Sequence, residues 1–282
     1  MTTLFSDGQK ETPITLFCLV AAVCFCVVRL EAAAADYSEP KDLIGNIFAR
    51  DTGPRKCLFK SERRSSQSGA HVEATCDYTY PDGSLAAQDR IVYEGPRLVS
   101  FEEEELQTAE KGRAEIRPDP KNQGKWRVYF EYTTGQGSAA QKKTASEAME
   151  NDTIIDDMIP GFIVSHWDAL QSGSPAKFRY IVLSRRETVG FRLVRDGETT
   201  RNGKPVIRIK MEPTSIIIAR LVAPLIFICE KDDPHRILEY VGRVTPLIKS
   251  GNKWKDLDAI TVFDWKPEIA QTGMQPASPG PH

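Results

Sequence analysis

Histidine is scarce in this chain. His71, His166, His235 and His282 are the only four, and none stands in an HExxH or other paired-ligand spacing. No CxxC occurs, so the common zinc and redox motifs are missing. A GxSxG elbow, a P-loop and a dinucleotide-binding glycine fingerprint are absent too. The two glycines and two lysines of "YTTGQGSAAQKK" precede no helix that could receive a phosphate, so that stretch reads as a loop. Charge of one sign is also lacking: 37 basic and 39 acidic residues among 282 nearly cancel. Net charge therefore favours neither nucleic acid nor an anionic membrane. Aromatic residues beside basic ones, such as Trp126 with Arg127, are scattered and form no nucleic-acid stripe. No repeat at a fixed period is found. Nothing implies a cofactor.

Long hydrophobic runs are confined to one place. From Ile14 to Val28, "ITLFCLVAAVCFCVV" is apolar apart from one threonine. That is short of the ~20 residues a membrane span needs. Ala33-Ala34-Ala35 then satisfies the small-residue rule for cleavage before Asp36. The expectation is a signal peptide over 1–35 and export, with an uncleaved membrane anchor as the alternative. Val23 before Cys24 and Phe25 before Cys26 argue against a lipoprotein cysteine.

Export leaves Cys57, Cys76 and Cys229 in a disulfide-permissive compartment. A hairpin turning at Ser66-Gln67 sets Cys57 opposite Cys76, in position for a disulfide. A turn nearer Ser68-Gly69 holds the two sulfurs apart. Cys229, in "PLIFICEK", reads as a buried apolar residue of a core strand.

Residues 36–55 read as a linker, 56–267 as a single β domain, and the polar, Pro-rich stretch 268–282 as a disordered tail. Within the domain, turn-linked strands are predicted near Lys56–Arg63, His71–Tyr80, Leu85–Glu94, Arg97–Leu106, Gly112–Arg117, Gly124–Thr133 and Gln141–Met149. Further strands carry Val189, Phe191 and Leu193, then Ile207, Ile209 and Met211, and run over Leu225–Glu230, Ile237–Val244 and Asp258–Asp264. "FEEEEL" at Phe101–Leu106 carries charge on both faces, which suits a solvated edge strand. The spacing predicts one helix over 157–173, capped by Asp156 or Asp157, with Pro160 in its first turn and Gly173 at its end. A second helix is predicted over Thr214–Val222, capped by Thr214 or Ser215. The fold class is mainly β (α+β): one curved antiparallel sheet or partial barrel of about a dozen strands, covered by two inserted helices.

The segment "GFIVSHWDALQSGSPAKFRYIVLSR", with the "YPDGS" turn and the closing "LEYVGRVTPLIKSGNKW", resembles an uncharacterised family of exported bacterial proteins, a domain of unknown function. The likeness runs from about Cys57 to Trp265 and brings no activity, cofactor or catalytic residue with it. A curved sheet with helical cover is also similar to the periplasmic lipoprotein carriers, whose half-barrels hold acyl chains.

The apolar stripe Ile159, Phe162, Ile163, Trp167 and Leu170 is either a plug that fills the core or a wall of a cavity. As a wall, Phe162, Ile163, Trp167 and Leu170 line a ligand space with Phe191, Ile207 and Ile209 across from them. Three functions fit. The first is a non-catalytic periplasmic module holding a lipid or other apolar small molecule. The second is an envelope module with a filled core and a protein partner. The third is a hydrolase with an unrecognised carboxylate or histidine site. "CEKDDPHR" gathers Cys229, Glu230, Asp232, Asp233 and His235, which reads as a charged turn before it reads as a metal site.

Overall fold

The computed structural model describes residues 42–50, 56–220 and 223–265. The expected leader and the expected tail lie outside the described residues. Alternating apolar and polar residues build a single sheet of 15 strands. The first eight are β1 (Asp42–Ala49), β2 (Cys57–Ser68), β3 (His71–Thr79), β4 (Leu85–Glu94), β5 (Arg97–Glu105), β6 (Glu110–Pro118), β7 (Trp126–Thr134) and β8 (Gln141–Ala148). The rest are β9 (Thr153–Ile154), β10 (Ala176–Val182), β11 (Glu187–Arg201), β12 (Lys204–Pro213), β13 (Leu225–Glu230), β14 (Ile237–Ser250) and β15 (Lys253–Asp264). Every ladder is antiparallel except the short β9–β10 pair.

Strand order explains the curl. β1 lies mid-sheet, paired with β2 on one side and β15 on the other, so two wings run outward from it to β8 and to β9. These two edge strands are neighbours in sequence, separated only by residues 149–152. The sheet must therefore roll until its edges approach. Edge-side contact is made by a side chain: the Thr188 N–H donates to Glu147 Oε1 at 2.7 Å. β8 and β9 form no ladder among the described residues, so the barrel stays open.

Three expectations are corrected here. The stretch read as a linker contains β1, whose "DLIGNIFA" buries Gly45 and Ile47. A Cβ on Gly45 would sit 2.4 Å from Ser61 Oγ and 2.9 Å from Thr261 Cγ2, so the glycine that weakens the strand signal marks a close approach. "FEEEEL" is no edge: β5 lies between β4 and β6. The Cys57–Cys76 bridge does not form, and both thiols are free. The β2–β3 hairpin pairs Ser68 with His71, which sets Arg63 opposite Cys76, while Cys57 pairs with Phe48 of β1.

The helical insert is broken in two, α1 (Ile159–Ser165) and α2 (Trp167–Gln171), preceded by a 3₁₀ turn at Asp156–Met158. The break falls at His166, whose backbone (φ −111°, ψ 15°) leaves the helical region. Pro160 sits in the first turn of α1 as expected, but neither Asp156 nor Asp157 caps it. At the far end Ser174 N–H donates to Ala169 O and Gly173 N–H to Leu170 O, with Gly173 at φ 84°, closing the turn as the glycine predicted. The second predicted helix shrinks to α3 (Ile216–Ala219), and Thr214 donates its hydroxyl to Gly190 O instead of capping.

Ile159, Phe162, Ile163, Trp167 and Leu170 all turn into the hollow of the β10–β14 wing, against Val189, Phe191, Leu193, Ile207, Ile209 and Phe227. Burial of those five side chains is worth roughly 8–15 kcal/mol gross, at ~1.5–3 each. The other wing has its own core of Ile91, Leu98, Phe101, Ile116, Val128 and Phe130, joined by Ile155, Ile181 and Leu183. Met158 packs against both cores.

Candidate ligand cleft and acidic interior

All strand ends fall on one of two rims, because the ladders alternate in direction. One rim carries the 3₁₀ turn, α1 and the starts of β3, β5 and β7. Here the chain leaves an open cleft of about 2140 Å³. Ordinary small-molecule pockets hold ~300–1,000 Å³, so this space suits a long or bulky occupant. Leu98, Trp126, Met149, Ile154, Met158 and Phe162 give it apolar walls. Cations stand over its aromatic residues: the Arg97 guanidinium lies 4.3 Å from the Trp126 ring centre and that of Arg236 5.7 Å from Trp265.

One buried ion pair lies in the wall of the cleft. Arg63 of β2 donates from Nε to Asp157 Oδ1 at 2.5 Å and from Nη2 to Oδ2 at 2.9 Å, with side chains 8% and 10% exposed. Tyr93 of β4 adds its hydroxyl to Oδ2 at 2.8 Å. This two-pronged geometry satisfies both partners where either alone would be costly. It ties the turn before α1 to the first wing.

Deeper in, register lines up an unusual row. Arg63 pairs with Cys76, Cys76 with Asp89, Asp89 with Glu103, Glu103 with Gly112 and Gly112 with Tyr132. The flanking pairs, Ala74–Ile91–Phe101–Ala114–Phe130, share that face and are core, so the row faces the interior. Glu102 and Glu104 alternate outward, where Lys111, Arg113 and Arg90 meet them. Asp89 is 5% exposed; Tyr78 donates to its Oδ2 at 3.1 Å, and its Oδ1 has no partner. Asp156 joins from the 3₁₀ turn, hydrogen-bonded to Tyr180.

Burial dominates the electrostatics of this row. It pushes Glu103 up to about 8, with Glu105 and Asp156 adding repulsion. Burial likewise raises Glu105 to about 6, against a lowering hydrogen bond from Thr108. Asp89 is raised well above the carboxylate range, by burial first and Glu103 second, and Asp156 is raised by burial. The thiol of Cys76 is raised for the same first reason. These carboxyls all move in one direction. An acid–base pair needs two groups pushed apart.

Of the seven residues predicted to line a ligand space, Phe162 reaches the cleft. Ile163, Trp167, Leu170, Phe191, Ile207 and Ile209 lie together in the packed core behind it. Trp167 is 9% exposed and stacks on His235, ring centres 3.9 Å apart and planes 14° off parallel. His235 belongs to the "CEKDDPHR" turn, where it meets Asp233 at 2.9 Å. His166 lies against Phe162, ring centres 4.1 Å apart and planes tilted by 32°. Sequence reasoning missed Arg63, Asp89, Glu103 and Asp156. For Glu103 a signal existed: tight turns join its strand to a strand on each side, and a strand with two hairpin partners cannot be an edge.

No family model and no curated protein matches the chain. Among solved structures it is similar to the β-barrel-like protein of a domain of unknown function, DUF1849, from Brucella abortus. The match covers 79% of this chain and 95% of that one, at 7% identity and a TM-score of 0.34. The mostly β, open and curled sheet is established by the strand pairing itself, and likeness at this level says nothing of activity or ligand.

Proposed function

We propose that this chain is a non-catalytic envelope module that holds an apolar or amphipathic, lipid-like molecule in the cleft beside α1. The observation that carries the reading is the cleft itself: about 2140 Å³, walled by Leu98, Trp126, Met149, Ile154, Met158 and Phe162, with Arg97 and Arg236 at its aromatic margins. The same cleft is lined by many polar and charged side chains, Arg63, Gln67, Asp119, Lys125, Glu150 and Asp157 among them, and a lining mixed in this way suits an amphipathic molecule with an apolar body and a polar end. The leader-like Ile14–Val28 run supports an envelope location. The fold-level analogy between a curved sheet with helical cover and the half-barrels of lipoprotein carriers points the same way.

Native mass spectrometry with lipid extraction of protein purified from its envelope tests it. Wild-type protein is expected to carry an acyl species. Ser165→Trp places bulk at an exposed cleft residue and should lose that species while keeping the wild-type unfolding midpoint. Protein that is repeatedly empty, or a Ser165→Trp variant loaded as fully as wild type, would overturn the assignment.

A further inference from the structure

The rim opposite the cleft carries a second feature. Leu85, Leu106, Ile216, Ile217, Ile248 and Trp254 are the large apolar side chains left exposed among the described residues. Each sits where a strand starts or ends on this one rim: Leu85 opens β4, Leu106 follows β5, Ile216 and Ile217 form α3 after β12, and Ile248 and Trp254 flank the β14–β15 turn. Ile216 and Ile217 are 75% and 77% exposed. The loops adjoin one another. Gln107 donates to Leu247 O at 2.9 Å and accepts from Leu247 N at 2.7 Å, which ties the β5–β6 turn to β14. Leu106 N–H donates to Ala86 O beside Leu85, and Leu225 at the foot of α3 lies against Gly242 of β14.

Charge on this rim is not balanced as it is in the whole chain. From Ile248 to Lys255 there are three lysines, Lys249, Lys253 and Lys255, and no acid; from Thr214 to Ala223 there is Arg220 and no acid. Of the acids on this rim, Asp256 is paired with Arg243 at 2.9 Å, while Asp82 beside Leu85 accepts from Ser84, Glu110 from the Tyr132 hydroxyl and Glu105 from Thr108, all outside the two basic segments. Lys249 lies 5.8 Å from the Trp254 ring centre.

Bare isoleucines on a tip, a half-exposed tryptophan and lysines without acids are the combination that enters a lipid interface, where aliphatic groups sit below the headgroups and Trp and Lys beside them. A protein groove would call for one continuous apolar patch rather than side chains on separate loop ends. We infer that this rim, led by Ile216, Ile217 and Trp254, docks the protein on a bilayer containing anionic lipid. The inference is independent of the cleft, which opens at the other end of the sheet.

Trp254 reports on docking locally. Full-length protein is mixed with phosphatidylcholine vesicles, with and without phosphatidylglycerol, containing brominated acyl chains that quench tryptophan on contact. Wild type should be quenched on the anionic vesicles, and Trp254→Phe should lose that part of the quenching. Ile216→Ser/Ile217→Ser should abolish it with an unchanged unfolding midpoint. Each lysine removed, by Lys249→Gln, Lys253→Gln or Lys255→Gln, should weaken partitioning roughly five-fold at low salt. Equal quenching of wild type and Trp254→Phe, or a lipid-free dimer that Ile216→Ser/Ile217→Ser dissolves, would overturn the inference.

Discussion

Asp89 and Glu103 stand directly opposite each other across the β4–β5 ladder, both on the face that turns into the curl of the sheet. Like charges at such a position repel, and neither has a basic side chain paired with it among the described residues. Holding them there takes a proton. Burial raises both groups, Glu103 to about 8, with Glu103 adding repulsion at Asp89 and Glu105 adding it at Glu103, so the folded protein binds protons that the unfolded chain releases in neutral solution.

That difference fixes the pH dependence of folding. Between the ordinary carboxylate range near 4.5 and the raised value of about 8, the native state holds more protons than the unfolded one. Stability is therefore full below that window and falls as pH rises through it. Glu105, raised to about 6, adds to the loss in the lower part. The expected drop is on the order of 2–4 kcal/mol between mildly acidic and mildly alkaline solution. Glu103→Gln should remove most of it. Urea titrations across this range decide the matter; a flat profile for wild type would contradict the inward-facing acidic row.

Arg63 and Asp157 make the opposite case, two charges that satisfy each other at 2.5 and 2.9 Å. Arg63→Ala or Asp157→Ala removes the opposite charge from a buried one and should cost about 3–5 kcal/mol. Replacing both, as Arg63→Met/Asp157→Leu, should cost less than either single change. Denaturant midpoints of the three variants give the answer, and a double variant worse than both singles would mean that the pair does not act as a unit.

Trp167→Ala should destabilise by about 3–5 kcal/mol, because the ring is buried among Ile163, Leu170 and the wing's core and stacked on His235. A shift of midpoint with an unchanged denaturant slope is expected. A variant that unfolds like wild type would remove α2 from the core.

How the parts were legible follows from what each depends on. Strands such as β4 and β13 were readable to the residue because alternation and tight turns are local. The helical stripe was readable because five apolar residues recur at helical spacing. Phe162 shows where that reading stops: whether its ring meets core or cleft depends on how far β9 and β10 stand from β7, and no local pattern encodes that distance. The same holds for Arg63. Only the β2–β3 register sets it facing inward opposite Cys76, and only the turn before α1 brings Asp157 to it. "FEEEEL" misled because inward-facing glutamates look like solvated ones until their neighbours are known.

Gly112 tests how closely the two wings approach. It lies in β6, and a Cβ there would come within 2.6 Å of Leu183 Cβ, just past the end of β10, and 3.0 Å of its Cδ1. A Cβ cannot swing aside as a chain end can, so Gly112→Ala must push β10 away from β6. The expected cost is about 1–3 kcal/mol. Leu183→Ala keeps its own Cβ and should not rescue the variant, which separates tight backbone approach from excess bulk. Ala114, two residues on along the same face, already carries a Cβ and is fully buried, so the requirement is local to Gly112, where Leu183 and, at 3.2 Å, Tyr132 crowd the position. Hydrogen exchange should show the damage at the edge: amides of β10 and its partner β9 exchange faster in Gly112→Ala, while β3 and β4 keep wild-type protection. Uniform loss of protection would mean instead that the contact supports the whole sheet rather than its rolled-in edge.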